Sequence, residues 1–396
     1  MIRREGVCAL SRLVRPMWQM TIVGAVPSDQ KRFLEQEACK PKWLFKFVKR
    51  WVIFLLLGQR QCLVEAVAPS VRRILWINLT APSLGDSLMD LAARKFLSGR
   101  ELHLLTSPKN AALYTDDPYF SKVMTEVGEA KSEHHRKSYE LVILDSFSPR
   151  SLLPKVRVAW RGPVVGVYGF LNGFEVHRTL YAFARFSHLL QLQQGALQPR
   201  VTEIALGQRL QGEGLISALG EGPGPTLGIG IGGEWTFRTY GRWSDVIKAL
   251  LNDVPSLSIV LLGSANGLED AAHIEGEVLS KRLINLVGRT SLAESCSVLR
   301  ACDAYLGADG GLWHMASACG LPTVALFADC QLFDETGKTI SRASPDQVCT
   351  SLMAEHDVNE IPATKVVEST GSLLKNLSNA LRDRQVLRSE IREVSG

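Results

Sequence analysis

Ala308-Asp309-Gly310-Gly311-Leu312-Trp313-His314-Met315-Ala316-Ser317-Ala318-Cys319-Gly320-Leu321-Pro322-Thr323-Val324-Ala325-Leu326-Phe327 reads as a loop, a short helix and a buried strand. Asp309 and the glycine pair stand where the helix starts, so unsatisfied backbone N–H groups and the positive end of the helix dipole point outward. Such an end is suited to an anion. Gly320 fits the helix C-terminus and Pro322 blocks its continuation, so Thr323 to Phe327 can enter a sheet. Leu312, Met315, Ala316 and Cys319 recur at helical spacing and would pack on that sheet. His314 lies one turn beyond Gly310, on the side of the open N-terminus. Taken alone, Asp309 is equally well an N-cap and His314 a surface histidine, since caps are far commoner than active sites.

The segment resembles the C-terminal-domain signature of the bacterial ADP-heptose:lipopolysaccharide heptosyltransferases. In that family an Asp-Thr/Ser-Gly-x-x-His run begins a helix against the donor diphosphate. Asp309, Gly311 and His314 match this pattern, and Gly310 stands where the family has a hydroxyl. The resemblance implies that Asp309, Gly310, Gly311 and His314 meet the nucleotide end of the donor. Gly310 would lack a side-chain donor but keep its backbone N–H.

Length and composition are compatible with this. A chain of 396 residues exceeds one ordinary core, and two domains are expected. The net charge of +5 tolerates an anionic partner without marking a dedicated nucleic-acid binder. The eight cysteines form no C-x-x-C pair and no zinc spacing with histidine. Cys296, Cys302, Cys319 and Cys330 fall in segments read as helices and strand ends, which suggests buried thiols, a reducing cytoplasm and no metal site. The N-terminus has no apolar stretch followed by a small-residue cleavage site.

From Arg73 onward, strands alternate with helices. Ile74 to Leu79, Leu102 to Thr106, Leu141 to Leu144 and Val164 to Val167 are expected strands. A helix from Asp86 to about Leu97 follows the first, and a long helical stretch spans Gly169 to Leu192. After the break Glu221-Gly-Pro-Gly-Pro225 a second series begins, with strands at Leu227 to Ile231, Ser258 to Leu262, Ile284 to Leu286, Ala304 to Leu306 and Thr323 to Phe327. Such alternation predicts parallel sheets covered on both faces. The expected fold is therefore α/β of GT-B type: two doubly wound, Rossmann-like domains facing across a cleft. The expected boundaries are an extension over 1–70, an acceptor-side domain over 71–220, a nucleotide-sugar domain over 221–350 and a helical tail over 351–396, its helix running from about Ala363 to Val394.

The extension contains Lys42 to Leu57, KWLFKFVKRWVIFLLL, which is basic, Trp-bearing and too short to span a bilayer. Two readings stand beside each other. It lies in the interface of an anionic membrane, or it packs on the main body with its lysines in solvent.

After the first strand, Thr80-Ala-Pro-Ser-Leu-Gly-Asp86 has ordinary capping geometry, and it also resembles the Ser-x-Gly-Asp run of the heptosyltransferases. That resemblance gives Asp86 the role of catalytic base, taking the proton of the attacking acceptor hydroxyl. A positioned base contributes about 10² to 10⁴ in rate. The loop at Gly232 to Trp243 corresponds to a small-residue turn followed by a basic residue. There Arg238 matches, although Tyr240 to Trp243 does not preserve the family's spacing, and Arg242 is left undecided. A guanidinium at that place would clamp a diphosphate and stabilise the leaving nucleotide; otherwise Arg238 is a surface arginine stacked on Trp235 or Trp243.

Asn266 or Glu269 is the candidate for holding the donor's ribose or base. Thr290 lies in a turn resembling one beside the family's adenine pocket, and an N-cap is its plainer reading. His177 and Arg178 resemble a family stretch on the acceptor side, but Thr179 and Leu180 do not continue it. His134 and His135 read as a solvated loop, with metal binding a remote second reading. Gly228 to Gly233 is weak evidence for a dinucleotide site, since no spaced acidic partner follows.

These expectations combine into an inverting glycosyltransferase that moves a sugar, by resemblance heptose from ADP-heptose, to a hydroxyl of a lipopolysaccharide core or related glycan. The scheme needs no metal or cofactor beyond the donor, because fixed cations and a helix dipole replace them. Its place would be the cytoplasm, peripheral to the inner face of the bacterial inner membrane. A protein O-heptosyltransferase and a non-catalytic nucleotide-binding scaffold are the alternatives.

Overall fold

Eleven parallel strands carry the architecture of the computed structural model, which describes residues 41–81, 83–170, 178–192, 224–328 and 349–377. The described residues up to 192 and those from 224 onward form two separate compact units, each around its own sheet. Both sheets are α/β as the strand–helix alternation predicts.

The first unit contains β1 (Arg73–Asn78), β2 (Glu101–Thr106), β3 (Lys122–Met124), β4 (Leu141–Leu144) and β5 (Val164–Gly166), in the order β3-β2-β1-β4-β5. Every residue of β1, β4 and β5 is buried, the apolar run Ile74 to Ile77 of β1 being flanked by buried Arg73 and Asn78. Its helices are α1 (Pro41–Leu56), α2 (Leu84–Asp90), α3 (Pro108–Tyr114), α4 (Val127–Arg136), α5 (Pro149–Ala159) and α6 (Arg178–Leu189). The helix expected from Asp86 to Leu97 divides into α2 and a tighter 3₁₀ stretch, Ala92–Leu97.

His134 and His135 lie in the last turn of α4 rather than in a loop, His134 half-buried and His135 exposed to solvent as expected. The backbone N–H of Tyr139 donates to His134 Nδ1 at 3.1 Å, and the two rings stack at 5.7 Å. One face of α1 packs on the body: Phe47 and Phe54 are buried beside Phe147 and Phe170, and Arg50 donates to the Phe170 carbonyl at 3.1 Å. No helix among the described residues is long and apolar enough to cross a membrane.

The second unit contains β6 (Thr226–Gly230), β7 (Ser258–Leu262), β8 (Leu283–Asn285), β9 (Ala304–Ala308), β10 (Thr323–Ala328) and β11 (Cys349–Ala354), in the order β11-β10-β9-β6-β7-β8. Its helices are α7 (Trp243–Asp253), α8 (Leu268–Glu277), α9 (Leu292–Ala301), α10 (Gly311–Ala318) and a C-terminal α11 over 363–377. The start of the tail expected over 351–396 falls in β11, which pairs in parallel with β10 from Thr323↔Cys349 to Ala328↔Ala354, and the helix expected from about Ala363 begins at 363 as α11.

The glycines of β6 are explained by packing. A Cβ at Gly230 would stand 2.1 Å from the Tyr305 hydroxyl, and one at Gly228 would press on Leu299. The Gly-x-Gly run thus leaves room for the Tyr305 side chain of the neighbouring strand β9. Cys296 and Cys302 are buried thiols, as expected, while Cys330 lies outside the described residues.

Candidate active site

Doubly wound sheets bind ligands beyond the carboxyl ends of their strands, where the strand order reverses. In the first unit that point lies between β1 and β4, and in the second between β6 and β9. Each has its own cluster of charged side chains.

The loop leaving β1 is held by Asp145, which follows β4. Buried Asp145 accepts from the Thr80 backbone N–H at 2.7 Å, the Ser146 N–H at 2.5 Å and the Ser151 hydroxyl at 2.6 Å. Its burial raises its pKa while these donors oppose that rise. The loop turns into α2 at Ser83, whose Oγ accepts from the Asp86 N–H at 3.2 Å and donates to Asp86 Oδ2 at 2.7 Å. Asp86 is therefore inside the first turn, with its carboxylate fixed by the cap rather than serving as one.

The other oxygen of Asp86 receives Arg178 Nη1 at 2.7 Å. The same guanidinium forks onto Asp90, one helical turn further, with Nε at 2.9 Å and Nη2 at 2.7 Å. Tyr168 donates its hydroxyl to Asp90 at 2.6 Å, and its ring lies 5.2 Å beneath the guanidinium. Asp90 is fully buried, and desolvation pushes its pKa up to about 6 against the pull of Arg178 and Tyr168. The pKa of Arg178 is held well above its ordinary value, Asp90 being the strongest force opposing its desolvation. Asp86 keeps about a fifth of its side chain exposed, so it alone of the two carboxylates can meet a ligand.

In the second unit, Asp309 directly follows β9, and its backbone N–H still donates to Leu326 of β10 at 2.9 Å. The N-cap of α10 is Gly310, in extended backbone, and not Asp309. The buried Asp309 side chain instead joins two basic groups: Oδ2 lies 3.1 Å from Arg238 Nη1 and Oδ1 lies 3.7 Å from His314 Nε2. Arg238 ends a 3₁₀ turn, Thr236–Arg238, in the loop after β6, and packs over Phe237 at 5.3 Å rather than over Trp235 or Trp243. His314 is buried beside the Trp313 ring. Arg238, Asp309, Gly310, Gly311 and His314 are thus gathered at the switch point, with the first amides of α10 beside them. A Cβ at Gly310 would meet only the Ala308 carbonyl, at 3.8 Å.

The remaining candidates lie along the same rim. Asn266 donates to the Gly233 carbonyl at 2.8 Å and accepts from Ser264 at 2.5 Å, so it braces the glycine turn after β6. Glu269 is exposed in the first turn of α8. Thr290 shares a 2.8 Å hydrogen bond with Ser295; the N-cap of α9 is Ser291, in a capping box with Glu294. The plainer reading of Thr290 as the cap is corrected by one residue. Arg242 is exposed at the N-cap of α7. His177 lies outside the described residues. Asp90, Asp145 and Tyr168 are additions that no local motif indicates.

Residues 174–355 match the profile of Glycosyltransferase family 9 (heptosyltransferase). Lipopolysaccharide heptosyltransferase 2 of Salmonella typhimurium is 32% identical over 111 residues, covering 26% of this chain and 31% of its own length. The enzyme of the same name from Escherichia coli is 27% identical over 232 residues, covering 51% and 64% respectively. The chain therefore aligns with less than two thirds of each of these relatives. Among solved structures, a glycosyl transferase family 9 protein from Veillonella parvula superposes with a TM-score of 0.65 at 14% identity, covering 79% of this chain and all of that one. ADP-heptose lps heptosyltransferase II of E. coli superposes with a TM-score of 0.57 at 20% identity, over 77% and 99%. At these identities the superpositions establish the fold.

Proposed function

Because the chain carries a glycosyltransferase family 9 domain over residues 174–355, we propose that it is an inverting glycosyltransferase that uses a nucleotide-activated sugar. The donor of this reading is ADP-heptose, and the acceptor is a hydroxyl of a lipopolysaccharide core or related glycan at the cytoplasmic face of the membrane. The observation that carries it is the meeting of Arg238, Asp309 and His314 at the β6–β9 switch point, beside the N-terminus of α10.

In this reading Asp309 orients Arg238, and the guanidinium with the Gly310 and Gly311 amides binds the diphosphate. Negative charge grows on the nucleotide as the glycosidic bond breaks, so preformed donors act more strongly in the transition state than on the bound donor. Asp86 takes the proton of the attacking hydroxyl. Ser83 and Arg178 hold one carboxylate oxygen each, which fixes the direction in which the base faces. Glu269 and Thr290 border the nucleoside end.

Calorimetric titration with ADP and with UDP, each with and without Mg²⁺, tests the proposal. ADP binding without metal, weakened about 10- to 100-fold in Arg238→Ala by loss of a charge-assisted contact, is the expected result. Preference for UDP would overturn the ADP-heptose assignment. Binding of neither nucleotide would overturn the donor site.

A further inference from the structure

The helix α1 is apolar on two opposite sides, and only one of them is packed. At 3.6 residues per turn, Phe45, Val48, Val52 and Leu56 fall within about 80° of one another, across the axis from buried Phe47 and Phe54. These outer residues are among the most open large apolar side chains of the described structure, with Phe45 at 72% and Leu56 at 81% exposed.

The stripe continues onto α5. The Trp160 indole N–H donates at 3.3 Å to the carbonyl of Leu57, the residue after Leu56, while the ring is 62% exposed. Leu153 and Arg157 stand on the same side of α5 at spacings of four and three residues from one another and from Trp160, and both are exposed. Below them, Lys155 is buried and donates to Gln59 and to the Trp160 carbonyl, which ties α5 to the 3₁₀ turn Gln59–Cys62 after α1.

Charge defines the partner. Residues 41–63 contain five basic side chains, residues 149–161 contain four, and neither segment contains an acidic one. Lys49, Arg60, Arg157 and Arg161 are exposed around the apolar stripe. A surface with Phe45, Val48, Val52 and Leu56 along it, an indole at its edge and exposed cations from both segments matches an anionic lipid interface. There the side chains enter the acyl boundary and the cations meet headgroup phosphates. We infer that the outer face of α1, extended by Leu153, Arg157 and Trp160 of α5, is a docking surface for an anionic membrane.

The test is co-sedimentation of the full chain with phosphatidylcholine vesicles, with and without phosphatidylglycerol. Binding is expected only to the anionic vesicles, and it should fall as salt rises. Lys49→Glu with Arg157→Glu should weaken it at least tenfold, since each surface cation contributes about fivefold. Phe45→Ser with Leu56→Ser, at positions too open to support the fold, should weaken it by a similar factor. ADP titration of each variant, unchanged from the parent, shows that the fold survives. Equal binding to neutral vesicles, or parental binding by either double variant, overturns the inference. So does concentration-dependent self-association that the serine variants abolish while vesicle binding persists, because that assigns the face to a second copy.

Discussion

Arg178 joins the carboxylates of Asp86 and Asp90, donating at 2.7 Å to the first and at 2.7 and 2.9 Å to the second. One carboxylate is buried and the other partly open, so a single guanidinium ties the exposed acid to the interior. Arg178 thereby acts as a positioning residue. Replacing it with Lys keeps a charge but loses the fork, and kcat should fall about 10- to 100-fold with little change in donor KM. Arg178→Ala leaves Asp90 buried without its cation and should cost about 3–5 kcal/mol of stability. Comparing steady-state kinetics of the lysine variant with urea unfolding of the alanine variant separates the two effects. A fall confined to donor KM would remove Arg178 from this role.

Asp90 gives the same cluster a pH dependence. Its pKa in the fold is raised from 3.8 to about 6, so the folded state binds the proton more tightly than the unfolded state. Its contribution to stability is therefore largest at low pH and is lost as pH rises through the window from 3.8 to about 6. Activity should run the other way, declining below about pH 6 as neutral Asp90 releases its hold on Arg178. Asp90→Asn should remove this group's part of both trends. Measured pH profiles of unfolding and of turnover that are identical in the parent and the variant would contradict it.

Asp86→Asn preserves the size of the side chain and one acceptor oxygen for Arg178, turns a donating NH2 toward the Ser83 hydroxyl, and removes the base. Turnover should fall about 10² to 10⁴-fold while ADP affinity stays unchanged. Retained cellular glycan with this variant, together with loss of ADP binding in Asp309→Ala, would favour the scaffold reading.

The sheets were legible where strands are long and wholly apolar. The expected Leu141 to Leu144 and Ser258 to Leu262 coincide with β4 and β7. The edge strands β3 and β11 expose polar residues such as Lys122, Thr350 and Ser351, so they lack the continuous apolar run by which a strand is read from sequence. The same division applies to the site. Asp309 and His314 are five residues apart and form a local pattern, whereas Arg178 meets Asp86 across 92 residues. Asp90, Tyr168 and Asp145 are ordinary residues in sequence, and only the sheet brings them to the β1 loop. The two faces of α1 show a third case: its composition permits both a packed and an interfacial helix, and packing accounts for one side only.

Gly310 offers a direct gain-of-contact experiment. The family pattern has a hydroxyl at this place, the backbone here is extended, and an added Cβ would touch only the Ala308 carbonyl at 3.8 Å. Gly310→Ser should therefore fold normally and, as an N-cap, gain a few tenths of a kcal/mol. If the start of α10 holds the diphosphate, the new hydroxyl should also tighten ADP binding by up to about tenfold, the effect of one neutral hydrogen bond. Unchanged affinity in a variant of unchanged or raised Tm would place the phosphates away from this helix end.

Thr290 and Ser291 separate capping from binding in adjacent residues. Ser291 accepts from the Glu294 N–H at 3.3 Å, and Glu294 accepts from the Ser291 N–H at 2.8 Å, completing the box that starts α9. Ser291→Ala should lower stability by about 1 kcal/mol and leave ADP affinity intact. Thr290 caps nothing, and its bond to Ser295 is between two side chains. Thr290→Val keeps the shape, so its cost in Tm should be smaller, and any loss of ADP affinity would come from the hydroxyl itself. Calorimetry on both variants reads the difference: an affinity loss in Ser291→Ala but not in Thr290→Val would exchange the two assignments.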